Sequence, residues 1–165
     1  MLDWLREWRD RFYRVVDSDE VWVFQAIVYV NMIASGIYMT AYGAPSGRVP
    51  VQKELGDTMH DVWVSLTIVG PLIVIIGDRM VYAGKNRVLH SHKPGGGGRI
   101  YWGWYLQAGG NFAVCMVYLP YIIAAFSSAW LQKGIFAAFI TTSLMICAVM
   151  LVIRDLRRVR AIERL

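Results

Sequence analysis

The sequence predicts an all-α integral membrane protein with four transmembrane helices. Of its 165 residues, 56% are hydrophobic, whereas roughly 45–50% is usual for a soluble domain. The apolar residues are concentrated in four blocks, each long enough to cross a hydrocarbon core of about 30 Å. Basic residues gather at the ends of these blocks, as they do in membrane proteins. We therefore expect neither a nucleic-acid partner nor a separate soluble domain.

The chain divides into an amphipathic start, a membrane domain and a basic tail. Residues 1–20 carry too many charges to insert, and their apolar residues recur at helical spacing. This pattern predicts an amphipathic helix at the membrane surface or a helix packed on the ends of the bundle. The membrane domain covers 21–153, and the tail covers 154–165. The four predicted spans are 21–42, 61–77, 100–126 and 134–153.

The segment 79–99, between the second and third spans, is basic and contains four consecutive glycines. We expect a loop in which these glycines act as a flexible linker. The segment lacks the GxxxxGK[ST] pattern of a phosphate-binding loop. His90 and His92 are only two ligands, and a metal site needs more. The sequence therefore predicts neither a metal nor a cofactor here.

The distribution of basic residues predicts the orientation of the chain. Fourteen of the 17 Lys and Arg residues lie in 1–20, 79–99 and 154–165. The positive-inside rule places these three segments, and hence both termini, in the cytoplasm. Each pair of spans would then form an αα-hairpin with its turn outside. We expect a protein of the cytoplasmic membrane whose basic face attracts anionic lipid, at about 1 kcal/mol per base close to the surface.

Tryptophans and prolines mark the predicted spans. Tryptophan side chains near span ends favour the membrane–water interface, and the expected anchors are Trp22, Trp63, Trp102, Trp104 and Trp130. Proline removes a backbone donor from a helix, and we expect kinks at Pro71 and Pro120.

Polar residues in the third span form the first candidate site. Gln107, Asn111 and Cys115 are spaced four residues apart, which places them on one helix face. They either line a pore when several copies assemble or make hydrogen bonds between helices within one bundle.

Small residues in the third and fourth spans form the second candidate feature. They allow helices to approach closely, either within one bundle or between copies. The pairs are Gly109 with Ala113, Ala137 with Thr141, and Ala138 with Thr142.

The predicted spans hold no Asp, Glu, Lys, Arg or His at mid-membrane depth. Proton relays and ion-coupled transporters usually need one. His60 and Asp61 fall at the outer interface, where a surface role is expected. Cys115 and Cys147 fall inside apolar runs and are interpreted as packing residues, with a Cys–Cys contact between two helices as the alternative. We expect no catalytic residues, no cofactor and no enzymatic activity.

The small size, the four spans, the amphipathic start and the basic tail RDLRRVRAIERL together give the chain a recognisable architecture. It resembles the small four-span membrane proteins of bacteriophages that infect actinobacteria, including holin-like proteins and the four-span partner of prophage exclusion systems. This resemblance implies a homo-oligomer that permeabilises the cytoplasmic membrane, and it assigns no role to any residue. The alternative is a non-catalytic accessory or regulatory subunit that docks on a larger membrane protein complex.

Overall fold

The computed structural model describes residues 19–42, 57–91, 96–127 and 131–163, together with Trp4 and Glu7. Over these residues the regular structure is helical throughout. The four helices are α1 (Asp19–Tyr42), α2 (Asp57–Ser91), α3 (Gly96–Ser127) and α4 (Leu131–Ile162).

Each helix contains a stretch long and apolar enough to cross a membrane. These stretches are Val21–Tyr42, Thr58–Val88, Gly97–Ile123 and Ala138–Ile162. The prediction of an all-α chain with four helices able to span a membrane is therefore confirmed. The predicted amphipathic helix 1–20 lies outside the described residues, except for Trp4, Glu7 and the first residues of α1.

The segment 79–99 differs from the loop that the sequence predicts. Helix α2 continues through Ser91, and α3 already begins at Gly96. The residues that extend α2 include good helix formers such as Ala83, Lys85 and Arg87, which lets the helix propagate beyond the apolar run. The expectation of a flexible glycine linker was wrong for Gly96–Gly98, which form the first turn of α3.

Helices α2 and α3 pack against each other through paired glycines. A Cβ atom on Gly77 would lie 2.6 Å from the carbonyl oxygen of Gly103, and one on Gly103 would lie 2.7 Å from that of Gly77. At the second pair, a Cβ atom on Gly110 would lie 2.8 Å from the carbonyl oxygen of Gly70. The later glycine of α2, Gly77, thus meets the earlier glycine of α3, Gly103, so the two helices run antiparallel. Their backbones touch where side chains would otherwise separate them.

The other helices assemble around this pair. Helix α3 lies between α2 and α4, and α1 packs on α2. At the α1–α2 contact, a Cβ atom on Gly36 would meet Ile68 at 2.5 Å. All four helices contribute to the buried core, which includes Tyr29, Met32, Trp63, Val64, Val74, Val114, Cys115, Val117, Tyr118 and Ala148.

The small residues predicted to pack helices differ in how deeply they are buried. Gly109 is exposed, and an added Cβ there would have no neighbour within 4 Å. Among the described residues it therefore packs against no other helix, and the adjacent Gly110 faces α2 instead. Ala113 does face α2, with its Cβ 3.3 Å from where a Cβ on Gly70 would lie. A role for Gly109 between copies stays a prediction.

In α4, Ala138 is fully buried. Its carbonyl oxygen accepts hydrogen bonds from the hydroxyls of Thr141 at 3.1 Å and Thr142 at 2.7 Å. Both threonines therefore bond to the backbone of their own helix. The side chain of Ala137 lies outside those that the structure describes.

Trp63 is a core residue, and its prediction as an interface anchor was wrong. Its side chain is buried, and its indole Nε1 donates to the carbonyl oxygen of Val117 at 2.7 Å. In the neighbouring residue, Met116, the carbonyl has no donor within the helix, because Pro120 four residues later lacks an N–H. The indole N–H thus finds its acceptor inside the bundle and has no need of the interface.

The structure gives the exposure of two further predicted anchors and the helical position of both prolines. Trp22 and Trp102 are largely exposed, as an interface anchor would be, and Trp130 lies outside the described residues. Pro71 and Pro120 both lie within helices that continue on either side, so the kinks stay predictions.

Overpacking the glycine contact should destabilise the bundle. We expect Gly77→Ala or Gly103→Ala to cost about 1–3 kcal/mol, because the added methyl would overlap a backbone oxygen that cannot move away alone. Thermal unfolding in mild detergent, followed by loss of the monodisperse elution peak, measures the effect. Gly109→Ala is the matched control and should leave the unfolding temperature unchanged or slightly raised. Equal losses in all three variants would contradict the assigned contact.

Candidate functional site

The carboxamide of Asn111 connects three helices. Asn111 is fully buried on α3, with α1 on one side and α4 on the other. Its Oδ1 accepts a hydrogen bond from Nε2 of Gln25 at 3.2 Å and another from the hydroxyl of Tyr29. Its Nδ2 donates to Oδ2 of Asp155 at 2.8 Å. One side chain thereby fixes α1 and α4 relative to α3.

Asp155 brings a buried charge to this group. It is fully buried, and its neighbour Arg154 is 6% exposed. Nε of Arg154 donates to Oδ1 of Asp155 at 2.8 Å, while Oδ2 receives the amide of Asn111. Both carboxylate oxygens therefore have donors. We call Gln25, Tyr29, Asn111, Arg154 and Asp155 the polar cluster.

The cluster is electrically balanced, which is what makes its burial possible. Removing an isolated charge from water costs several kcal/mol even after relaxation. Here the guanidinium of Arg154 offsets the carboxylate of Asp155, and the neutral amide of Asn111 supplies the remaining hydrogen bond. A buried pair of this kind contributes little net stability, but losing one partner leaves the other uncompensated.

The end of α4 beyond the cluster stays packed on the beginning of α3. The guanidinium carbon of Arg158 lies 4.1 Å from the ring centroid of Trp104, a cation–π contact. The hydroxyl of Tyr101 donates to Oε1 of Glu163 at 3.1 Å. We call this end of the bundle, where α1 and α3 begin and α2 and α4 end, the basic end.

Trp104 packs against Arg158 of α4 and is not simply a membrane-interface anchor. Its side chain is partly buried beneath Arg158, and its Nε1 is a buried donor without a hydrogen-bond partner among the described residues. The prediction of a simple interface anchor was therefore incomplete for Trp104.

The structure places the three predicted polar residues of α3 inside a single chain. Gln107, Asn111 and Cys115 are all buried, at 6%, 0% and 6% exposure. The hydrogen bonds of Asn111 favour the interpretation that these residues hold one bundle together. Lining of a pore in an assembly of copies stays a prediction. Cys115 packs in the core, and it and the exposed Cys147 are both free thiols.

Sequence reasoning missed Arg154 and Asp155, which it assigned to the tail. The sequence does contain a periodic signal at this position. Along this part of α4 the buried residues are spaced three or four apart, and they are Ala148, Leu151, Asp155 and Val159. Asp155 thus continues the apolar face of α4 beyond the predicted end of the span. Gln25 and Tyr29, likewise missed, are four residues apart on one face of α1.

A groove lies beside the cluster, between α1 and α2. Its volume is about 190 Å³. One wall carries Trp22, Gln25 and Tyr29, and Gln107 of α3 contributes to the lining. The other wall belongs to α2 and includes Val74, Ile75, Asp78 and Arg79. We call this feature the α1–α2 groove.

Known proteins offer no guide to this site. No family model, no curated protein and no solved structure matches the chain. Within the described helices, no three His, Cys, Asp or Glu side chains come together as metal ligands. The site is therefore interpreted from its own chemistry.

The balance of the polar cluster can be tested by unpairing it. Asp155→Leu should destabilise the protein by about 3–5 kcal/mol, because it leaves Arg154 without its counter-charge and Asn111 without an acceptor. The double variant Arg154→Leu with Asp155→Leu should recover much of this loss, since no unpaired charge remains. Thermal unfolding in detergent compares them. Arg160→Leu, at an exposed position of α4, is the control and should have little effect. A double variant as unstable as Asp155→Leu would contradict the pairing.

Proposed function

We propose that this chain is a non-catalytic membrane subunit that docks on a larger membrane protein complex through its basic end. The observation that carries this proposal is the closure of the polar cluster within one chain. The amide of Asn111 and both oxygens of Asp155 are bonded internally. The cluster thus acts as a structural joint between helices, and the groups available to a partner lie elsewhere.

Those groups lie on the helices that extend past the cluster. Helix α2 runs on to Ser91, and α4 runs on to Ile162. The Arg158–Trp104 and Tyr101–Glu163 contacts keep α4 against α3. Exposed bases on these extensions and on the first turn of α3 form what we call the basic platform, which comprises Lys85, Arg87, Arg99 and Arg160.

A helical platform is a better docking surface than a flexible loop. Its side chains are held on packed helices, so less conformational entropy is lost on binding. An acidic surface on the partner complex would complement its charge and orient the encounter. The excess of Lys and Arg at this end supports a cytoplasmic location for the platform by the positive-inside rule.

Reversing the platform charge should release the partner. We expect the full-length protein to copurify with a partner complex in fixed stoichiometry in mild detergent. Lys85→Glu combined with Arg87→Glu should lower recovery of that complex by at least roughly tenfold, because like charges would face each other. Arg48→Glu, in the connection between α1 and α2, is the matched control and should leave recovery unchanged. Purification of the wild type alone, or equal losses with the control, would contradict docking through the platform.

The second candidate is a self-assembling pore of the holin-like or exclusion type. The observation that favours it is Gly109, which faces open space on α3. The exposed rings of Tyr105 and Phe112 flank it one turn away on either side. Such a notch lets a helix of a second copy approach closely in lipid. Gln107 and Asn111 would line a pore only after the polar cluster opened.

Membrane potential separates the two candidates. We expect a voltage-sensitive dye to report an intact potential in a bacterial host that has inserted the wild-type protein at high level. A rapid loss that Gly109→Ile prevents, while Ile123→Leu does not, would replace docking with pore formation as the function. In that event, lysis only in the presence of an endolysin would indicate the holin type. Depolarisation without that dependence would indicate the exclusion type.

A further inference from the structure

The α1–α2 groove opens toward the surface that would face lipid. Trp22 and Val30 of α1 are 52% and 60% exposed, and Ile75 of α2 is 36% exposed, at its rim. The groove is therefore accessible from the side of the bundle. A molecule that is itself part of the bilayer could enter it without crossing an aqueous phase.

Gln107 offers the groove an unused amide. Its side chain is only 6% exposed and lines the groove, and it makes no hydrogen bond within the described part of the chain. Unlike Nε1 of Trp104, its amide is not sealed off inside the bundle, so its polar atoms are accessible from the groove. The amides of Gln25 and Asn111, by contrast, bond to each other. Gln107 therefore points to a ligand that carries a hydrogen-bonding group to this depth.

Two opposite charges lie beside each other in the groove lining. Asp78 and Arg79 are consecutive on α2, and both line the groove. Among the described residues, neither makes an ion pair or a hydrogen bond. They stand at nearly the same level as Gln107, because a Cβ on Gly77 would lie 2.9 Å from Cγ of Gln107. The groove thus presents a cation, an anion and an amide close together.

We propose that the α1–α2 groove binds one zwitterionic phospholipid with a primary ammonium headgroup, of the phosphatidylethanolamine class. The guanidinium of Arg79 pairs with the phosphate, and the carboxylate of Asp78 accepts hydrogen bonds from the ammonium. The amide of Gln107 bonds an oxygen of the glycerol-ester region, and an acyl chain lies along Val30 and Ile75. Trp22 sits at the interface level, where its ring is favoured.

The charge pattern selects this headgroup over its two common alternatives. An anionic glycerol headgroup would satisfy Arg79 but leave the carboxylate of Asp78 near a negative phosphate. A choline headgroup carries a positive charge but has no N–H donor for Asp78. The site is also distinct from the basic platform, whose bases attract anionic lipid without a shaped pocket.

Lipid retention in native mass spectrometry tests the proposal. The full-length protein is exchanged into micelles holding equal amounts of phosphatidylethanolamine, phosphatidylglycerol and phosphatidylcholine with identical acyl chains, then stripped in stages. We expect one phosphatidylethanolamine to remain bound in at least roughly tenfold preference to the others. Asp78→Asn, Arg79→Gln and Gln107→Leu should each lower its retention about tenfold. Asp61→Asn, at an exposed position of α2 outside the groove, should not change it.

Other outcomes would overturn the assignment. Preferential retention of phosphatidylglycerol, strengthened by Asp78→Asn, would make this an anionic-lipid site. Equal retention of all three lipids would indicate unspecific annular lipid, and no retained lipid would leave the groove without a lipid ligand. Asp78 and Arg79 lie at the groove mouth, so their variants should fold, and an unchanged elution profile checks this. The readout is independent of any docking partner.

Discussion

The carboxamide of Asn111 is the interaction on which the arrangement of the helices depends. In hydrocarbon, lipid tails are as apolar as leucine, so burial alone does not hold helices together. Directional hydrogen bonds and close packing must supply the specificity. Asn111 accepts from Gln25 and Tyr29 of α1 and donates to Asp155 of α4. Because Asn111 and Asp155 are fully buried, sliding either helix would leave polar groups unsatisfied.

The neighbouring residue, Gly110, joins α3 to the remaining helix. A Cβ there would lie 2.8 Å from the carbonyl oxygen of Gly70 on α2, so adjacent residues of α3 serve opposite faces. The glycines on α2 recur at seven-residue spacing at 70, 77 and 84, and those on α3 recur at 96, 103 and 110. A seven-residue repeat keeps one stripe facing a partner helix over several turns. The glycine contacts hold α2 against α3. The hydrogen bonds of Asn111 hold α1 and α4 against α3.

Periodicity and hydropathy were enough to predict the class, the four helices and the shared face of Gln107, Asn111 and Cys115. They could not separate Gly109 from Gly110, because the choice depends on which side of α3 another helix occupies. Trp63 was misplaced because the acceptor of its indole, Val117, is 54 residues away. Arg154 and Asp155 were assigned to the tail, since a hydropathy window scores each charge separately and cannot register that the two neutralise each other.

The chain has two acid–base pairs of consecutive residues toward the basic end, and only one of them is bonded within the described residues. Arg154 and Asp155 bond to each other within the bundle, with Asn111 completing the carboxylate. Asp78 and Arg79 line the α1–α2 groove on the side of the bundle, and neither has a partner among the described residues. Charges so close to hydrocarbon are costly without compensation. The first pair is compensated by the fold itself, and in the proposed complex the second is compensated by the zwitterionic headgroup.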